Sequence, residues 1–576
     1  MRLMISASLA LSLLLPVSAP AEGLSGAYLA GRQAISSNDY AEAAVFYSRA
    51  LAQDRSNPAL AESAVLANIG LGRVDDSVPL ARILLDTNPG NQVAQMVLTA
   101  HALNRGADIN LLDEMAETGR IGPLIDGLLV GWGWLDVGDV DRAMAAFDEI
   151  ISNDEYVGFG TYQKALAYAY VGNFEETVRL LVGDEAAPGV RTRRSVIALA
   201  LSLGQLGQTS EAAAVLAENF DLSDPEIAAF YTPLAAGEAV PFDMIRSPQD
   251  GMGEAFFSVA LALRGQAADG FTLLYARFAQ FLSPNNADAS ILTARLLEEL
   301  GQYDLAIQAY DQVSRDSAAY MKAEIGRAEA LNNSDKPDAA IEVLTQLSET
   351  RPGVPLVYTT LGDTHRRMSA FEAAAEAYDR AISLYPTEEP SQWFVYYSRG
   401  IANERTNDWP AAEADFRKAL ELNPGQPNVL NYLGYSLVEK RENLDEALKM
   451  IRDASAARPQ SGYIADSLGW VLYRLGRFDE GVGPMEHAVS LLPIDPVIND
   501  HLGDVYWAVG RKREAEFQWS RALSFVDPDD ENSEAEPERI QRKLEVGLDV
   551  VLDEEGAPSL SEKADGAAER ASNDDG

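Results

Sequence analysis

The chain has 576 residues and a formal net charge of −42, from 88 acidic against 46 basic side chains. That balance argues against nucleic acid or an anionic membrane as the main partner and favours a basic or neutral one. It contains no cysteine, which excludes disulfides, thiolate zinc sites, a cysteine nucleophile and a lipid-anchored N-terminal cysteine. The length implies several domains, and a hydrophobic fraction of 47% is ample for a large core.

The first residues, MRLMISASLALSLLLPVSAPAEG, place Arg2 before an apolar run, Leu3 to Leu15, that is too short to span a bilayer comfortably. Pro16 ends the run, and Ala19-Pro20-Ala21 supplies small residues ahead of Glu22. This is the grammar of a cleavable secretory signal over residues 1–21, with an N-terminal membrane anchor as the alternative. No later stretch is long and apolar enough to cross a membrane. The mature protein is therefore expected to be exported without a transmembrane span, and periplasmic if the source is Gram-negative.

Residues 22–236 read as a divergent helical array. NDYAEAAVFYSRAL (Asn38–Leu51), VGWGWLDVGDVDRAMAAFDEII (with Gly131, Ala143 and Phe147), YVGNFEETVRLL and LGQTSEAAAVLAE share one pattern of small and bulky residues. GEAVPFDMIRSPQDGMGE (Gly237–Glu254) breaks it with Pro241, Pro248 and several glycines, so residues 237–254 are expected to join two arrays. The pattern returns in LGQYDLAIQAYDQV and DKPDAAIEVLTQLSETRP, and the second array is expected over 255–526. It is sharpest after Val354. There Gly362, Gly400, Gly434, Gly469 and Gly503 follow at intervals, by subtraction, of 38, 34, 35 and 34 residues, and the stretches close on Pro386, Pro424, Pro459, Pro493 and Pro528.

These stretches resemble the tetratricopeptide repeat (TPR) family. One carries Tyr358, Leu361-Gly362, His365, Ala374, Tyr378, Ala381 and Pro386; the next Tyr396, Gly400, Ala412, Phe416, Ala419 and Pro424; the last Leu502-Gly503, Tyr506, Ala515, Trp519 and Ala522. Arg399 departs from the family's leucine, and Gly481 stands where alanine is expected. The C-terminal half is similar to the exported TPR scaffolds common in alphaproteobacteria. The resemblance implies an all-α superhelical solenoid of antiparallel helix pairs that acts as a scaffold or adaptor rather than an enzyme. A glycine inside a helix costs roughly 0.5–1 kcal/mol relative to alanine. Gly469 and Gly481 are expected where paired helices approach most closely, so that packing outweighs the cost.

Helical spacing also marks a face. Positions three before, one after and four after each glycine share one side of the first helix of a repeat, and in family terms that side lines the ligand channel. It carries Tyr397, Asn431, Tyr435, Asp466, Trp470, Tyr473, Asp500, Asp504 and Trp507, with Ile401, Glu404 and Val438 between them. Asparagine can pair with an extended peptide backbone, the aromatics offer apolar contact with a polar handle, and the carboxylates favour a basic residue on the ligand. The alternative is that the aromatics pack between neighbouring repeats. The basic, asparagine-bearing clamp that chaperone adaptors of this family use for a C-terminal carboxylate is absent: the positions after the glycines are Asp363, Ile401, Tyr435, Trp470 and Asp504.

Residues 527–576 form an acidic tail, beginning DPDDENSEAEPE. Within it, Arg539–Leu552 reads as a short amphipathic helix, either capping the solenoid or free of it, and the segment from Asp553 is expected to be disordered. No Walker loop, GxSxG elbow or HExxH pattern occurs. His101, His365, His487 and His501 are scattered, and although His487 and His501 lie on adjacent repeats, no further ligands stand in register with them. No catalytic residue, cofactor or metal is assigned. The sequence therefore reads as an exported scaffold for a protein or peptide partner, in cell-envelope assembly. The rivals are a glycan-binding module and a non-catalytic helper subunit of an envelope enzyme or secretion complex.

Overall fold

The computed structural model of the chain describes residues 23–182, 190–527 and 535–566. The expected signal at residues 1–21 lies outside them. Among the described residues the fold is all-α, with 31 α-helices, one short 3-10 helix and no strand. Many helix starts have a local cause. Asp39, Asn57, Asn91, Asp139, Asn173 and Asp495 each accept a hydrogen bond from a first-turn N–H. Proline enters the first turn after Asn57, Val354, Gln426 and Asp495, where its missing N–H leaves nothing unpaired.

Consecutive helices pack as antiparallel pairs. The small residues sit at the crossings. A Cβ on Gly469 would lie 2.4 Å from Met485 Cγ and 3.2 Å from the Gly481 carbonyl, and one on Gly481 would lie 3.1 Å from the Gly469 carbonyl. The two glycines thus face each other across the closest approach of their helices. The missing side chains are what permits it.

The chain divides into two compact units, Met1–Leu347 and Ser348–Gly576. In the first unit the array does not stop at Gly237–Glu254. Helix Pro248–Leu263 folds back onto helices Pro123–Asp136 and Val157–Tyr170, and helix Asp269–Leu282 lies against Pro58–Gly70. The residues read as a joint have other work. Pro248 opens a helix held by a reciprocal cap between Ser247 and Asp250. Gly251 lets that helix pass over Trp132, whose ring a Cβ would meet at 2.1 Å, and a Cβ on Gly253 would lie 2.6 Å from Ser283 Cβ and 3.0 Å from the Ala279 carbonyl. The contact is polar as well. Glu254 is fully buried and receives Arg194 at 2.8 Å and the Tyr162 hydroxyl at 2.8 Å. Arg277, also buried, donates from Nε and Nη2 to the Gly70 carbonyl at the end of helix Pro58–Gly70, where a cation complements the unpaired carbonyls.

The second unit contains five hairpins. Helices Pro355–Arg367 and Phe371–Leu384 pair, as do Trp393–Arg405 and Trp409–Leu422, Pro427–Lys440 and Leu444–Ala457, Gly462–Arg474 and Phe478–Leu491, and Pro496–Ala508 and Lys512–Phe525. Beyond them the expected single helix over 539–552 is two, Pro537–Val546 and Leu548–Glu554. Gly547, at φ 86°, ends the first and starts the second, a conformation that strains any residue with a Cβ. Residues 560–566 are helical again.

Candidate functional site

Six of the nine residues marked on the ligand face come together on helices Gly462–Arg474 and Pro496–Ala508. Asp466, Trp470 and Tyr473 share one side of the first helix, and Asp500, Asp504 and Trp507 one side of the second. Trp470 stacks on Tyr473 with ring centroids 4.9 Å apart and on His501 at 3.9 Å. The His501 Nδ1 lies 3.0 Å from an Asp466 oxygen. Burial works against a charged His501, but Asp466, with Asp500 and Asp504 behind it, outweighs that and holds the imidazolium above its usual range. Trp507 packs against Trp519 at 5.3 Å, and the Trp519 indole donates to Asp504 at 2.9 Å.

This face is covered by the chain's own tail. Lys543, only 1% exposed, places its ammonium 2.8 and 2.9 Å from the two Asp500 oxygens and 2.6 Å from Asp504. Arg539 approaches Asp504 at 3.7 Å and pairs with Glu555 at 2.7 Å. The Trp507 indole donates to Asp549 at 2.9 Å, and the position of a Gly547 Cβ is 2.5 Å from the Trp507 ring. Leu552, Ala557 and Leu560 join the apolar cluster around Tyr473, Trp470 and Trp507. The Lys563 ammonium sits 4.5 Å from the centre of the Tyr473 ring. Burial, with Arg474, Arg539 and Arg441 nearby, pushes that ammonium down to about 8. Within 557–566, a stretch expected to be disordered, Ala557, Leu560 and Lys563 therefore pack on the face.

Tail and face line a half-open pocket of about 480 Å³, with Tyr473, Trp470 and His501 on one side and Leu552, Pro558 and Lys563 on the other. Burial pushes the Tyr473 hydroxyl well up and raises Asp500, against the pull of Lys543. Paired acids hold a cation and stacked rings hold apolar chain.

The other three marked residues lie apart from this group. Tyr397 packs between repeats, with ring centroids 6.2 Å from Trp393, 6.1 Å from Phe416 and 6.0 Å from Tyr432. Tyr435 rests on the apolar cluster of Val429, Leu433, Leu437 and Ile451. Asn431 has its side-chain oxygen buried without a hydrogen-bond donor among the described residues. His487 does not approach His501; its Nε2 meets the Pro459 carbonyl at 2.8 Å. Among the described residues no group of three or more His, Asp or Glu is placed to hold a metal ion. The residues missed on the sequence were the cations that complete the site, Arg539, Lys543 and Lys563. The signal for the first two was there: basic residues four apart on an amphipathic helix within an acidic tail.

The Tetratricopeptide repeat family model matches residues 265–321, 291–355, 325–389 and 359–427. Residues 265–427 carry tetratricopeptide repeats. Among curated proteins, the chain is similar to a TPR repeat-containing protein of Pseudomonas aeruginosa, 26% identical over 211 residues, which is 36% of this chain and 35% of that one. It is also similar to the mitochondrial import receptor subunit TOM70 of Rattus norvegicus, 29% identical over 103 residues, covering 18% of this chain and 16% of the receptor. The chain thus spans about a third or less of the length of these relatives. Among solved structures it resembles a chain of the APC/C hetero-tetramer Cut9–Hcn1, at 13% identity and a TM-score of 0.38, covering 91% of this chain and 96% of that one. The TPR relatives support a protein–protein interaction scaffold in general. No helix among the described residues is long and apolar enough to cross a membrane.

Proposed function

We propose that the protein is an exported TPR scaffold that binds a protein or peptide partner through the face formed by Asp466, Trp470, Tyr473, Asp500, Asp504 and Trp507, and serves cell-envelope assembly. It is periplasmic if the source is Gram-negative. The observation that carries the reading is the pair Asp500 and Asp504 holding a buried lysine from a peptide segment. The signal grammar of residues 1–21 supports export, and the net charge of −42 supports a basic partner. A relative named as an import receptor is in keeping with capture of a protein segment.

The glycan reading needs open aromatic faces, but Trp470 already stacks on both His501 and Tyr473. The helper-subunit reading differs only in who the partner is. A photoreactive residue placed at Tyr435 or Asn431, and for comparison at Phe517, which is 62% exposed on another helix, tests the proposal in cells. Crosslinks to one protein from the first two positions and not from Phe517 are expected. Retention of the protein on polysaccharide, with no protein crosslinked at either position, would refute it.

A further inference from the structure

Helix Pro537–Val546 is docked in an unusual way for an element that merely covers the end of a solenoid. Ile540 and Leu544 supply its apolar contact, yet beside the fully buried Ile540 it also buries Lys543, held by two carboxylates one helical turn apart. Burying an ion pair is costly, and replacing one with apolar residues of similar volume is often neutral or stabilising. A permanent cap gains nothing from it. A docking site gains selectivity, because a segment without the cation leaves Asp500 and Asp504 buried and unpaired.

The tail is also built to move as one piece. Arg539 pairs with Glu555, and Arg542 with Glu554, so its two helices are tied to each other. Among the described residues its polar attachments to the face include Lys543 to Asp500 and Asp504, Arg539 near Asp504, Asp549 to Trp507 and Lys512, and Lys563 to Tyr473.

From this arrangement we infer that residues 537–566 are a ligand in cis, and that the partner which replaces them is an amphipathic helix of another protein. That helix carries basic residues four apart, in the spacing of Arg539 and Lys543, and its second cation seats between Asp500 and Asp504. This rests on the scaffold reading of the same face. It adds that the free protein is self-occluded, so a partner must win the site from a segment present at the high effective concentration that tethering gives.

The probe is a fluorescein-labelled synthetic peptide of residues 535–566. Its binding is measured to three purified full-length proteins: the wild type, Lys543→Glu, and a wild-type chain cut at a protease site inserted between Asp527 and Ala535. The wild type is expected to bind the peptide at least about tenfold more weakly than Lys543→Glu, and cutting is expected to allow exchange. A peptide carrying the same Lys543→Glu change should not bind. Equal binding by wild type and Lys543→Glu overturns the inference. So does a Lys543→Glu chain in which amide protection is lost across helices Gly462–Arg474 and Pro496–Ala508 as well as in the tail while the cut chain refuses exchange, because the tail is then part of the core. A wild-type dimer that Lys543→Glu dissociates assigns the site to a second copy and overturns it too. The scaffold reading fails separately, through loss of the specific crosslinks at Tyr435 and Asn431 whatever the peptide does.

Discussion

Replacing Lys543 by methionine keeps most of the side chain's apolar length and removes only its charge. Two carboxylates then remain under the tail, one of them 1% exposed. Removing one partner of a buried ion pair typically costs about 3–5 kcal/mol, against roughly 0–1 for a solvated surface pair. The fold has two ways to reduce that cost, by protonating an aspartate or by letting the tail lift off. At neutral pH we expect about 3 kcal/mol, expressed as undocking of residues 537–566 with the repeats still folded. Repeat arrays unfold piecewise, so amide exchange along Ile540–Val546 is the proper assay, not a whole-chain melt. The pH dependence follows in sign. Burial raises Asp500 above 3.8 in the fold, so its ionised form is disfavoured there, and that penalty is absent below 3.8 and grows as pH climbs through the raised value. Without Lys543 the rise is larger. The deficit of Lys543→Met should shrink on acidification, and Lys543→Met/Asp500→Asn/Asp504→Asn should recover most of it at neutral pH. A deficit under about 1 kcal/mol that does not change with pH would refute the argument, for the pair would then behave as a surface one.

Trp470→Ala should weaken binding of the tail peptide to the cut chain by about 2 kcal/mol. Leu468→Ala, which removes packing from the neighbouring apolar cluster, should lower stability without a selective binding defect; comparable unfolding by both would make Trp470 a core residue. Gly251→Ala should destabilise the first unit by roughly 1–3 kcal/mol despite alanine's better helix propensity, since its Cβ would fall 2.1 Å from Trp132; urea titration followed by tryptophan fluorescence reads this. His501 is held above 6.5 by Asp466 once burial is outweighed, so its contribution is fully present below pH 6.5 and lost as pH rises through the raised value. His501→Gln should flatten that part of the stability profile. Intact mass of the exported protein should begin at Glu22; retention of Met1 would reject export by signal cleavage.

The repeat was legible because it is local. A glycine every 34 or so residues, an alanine and an aromatic at fixed offsets, and a closing proline each report on one hairpin, and the contact of Gly469 with Gly481 is the physical event behind that pattern. That Asp466, Trp470 and Tyr473 share one side of a helix was legible for the same reason, since helical periodicity alone places them there. What failed was long-range. Pro248, Gly251 and Gly253 carry the composition of a breaker, yet in the fold they cap a helix and let it pass close to Trp132 and Ala279, and only the tertiary partner distinguishes the two. Residues 557–566 were misread because acidity and small residues describe a free segment as well as one docked through a few cations and leucines; residues 567–576 lie outside the described residues.

Charge shows how these scales meet. A net charge of −42 draws a basic partner from a distance, but that attraction is unspecific and screened beyond about 8–10 Å at physiological salt. At short range the face offers little free acid, because Lys543 occupies Asp500 and Asp504, and His501 occupies Asp466. A basic protein that cannot form the helix with its cation in register is therefore attracted and then refused. One that can form it exchanges ion pair for ion pair, with little net change in electrostatic energy. Selection then falls on the apolar contacts of the cluster around Tyr473, Trp470 and Trp507, to which the tail contributes Ile540, Leu544, Leu548, Leu552, Ala557, Leu560 and the Lys563 stem. A partner helix with a larger apolar side chain in that register would displace the tail, and Leu560→Ala should make displacement easier at unchanged charge.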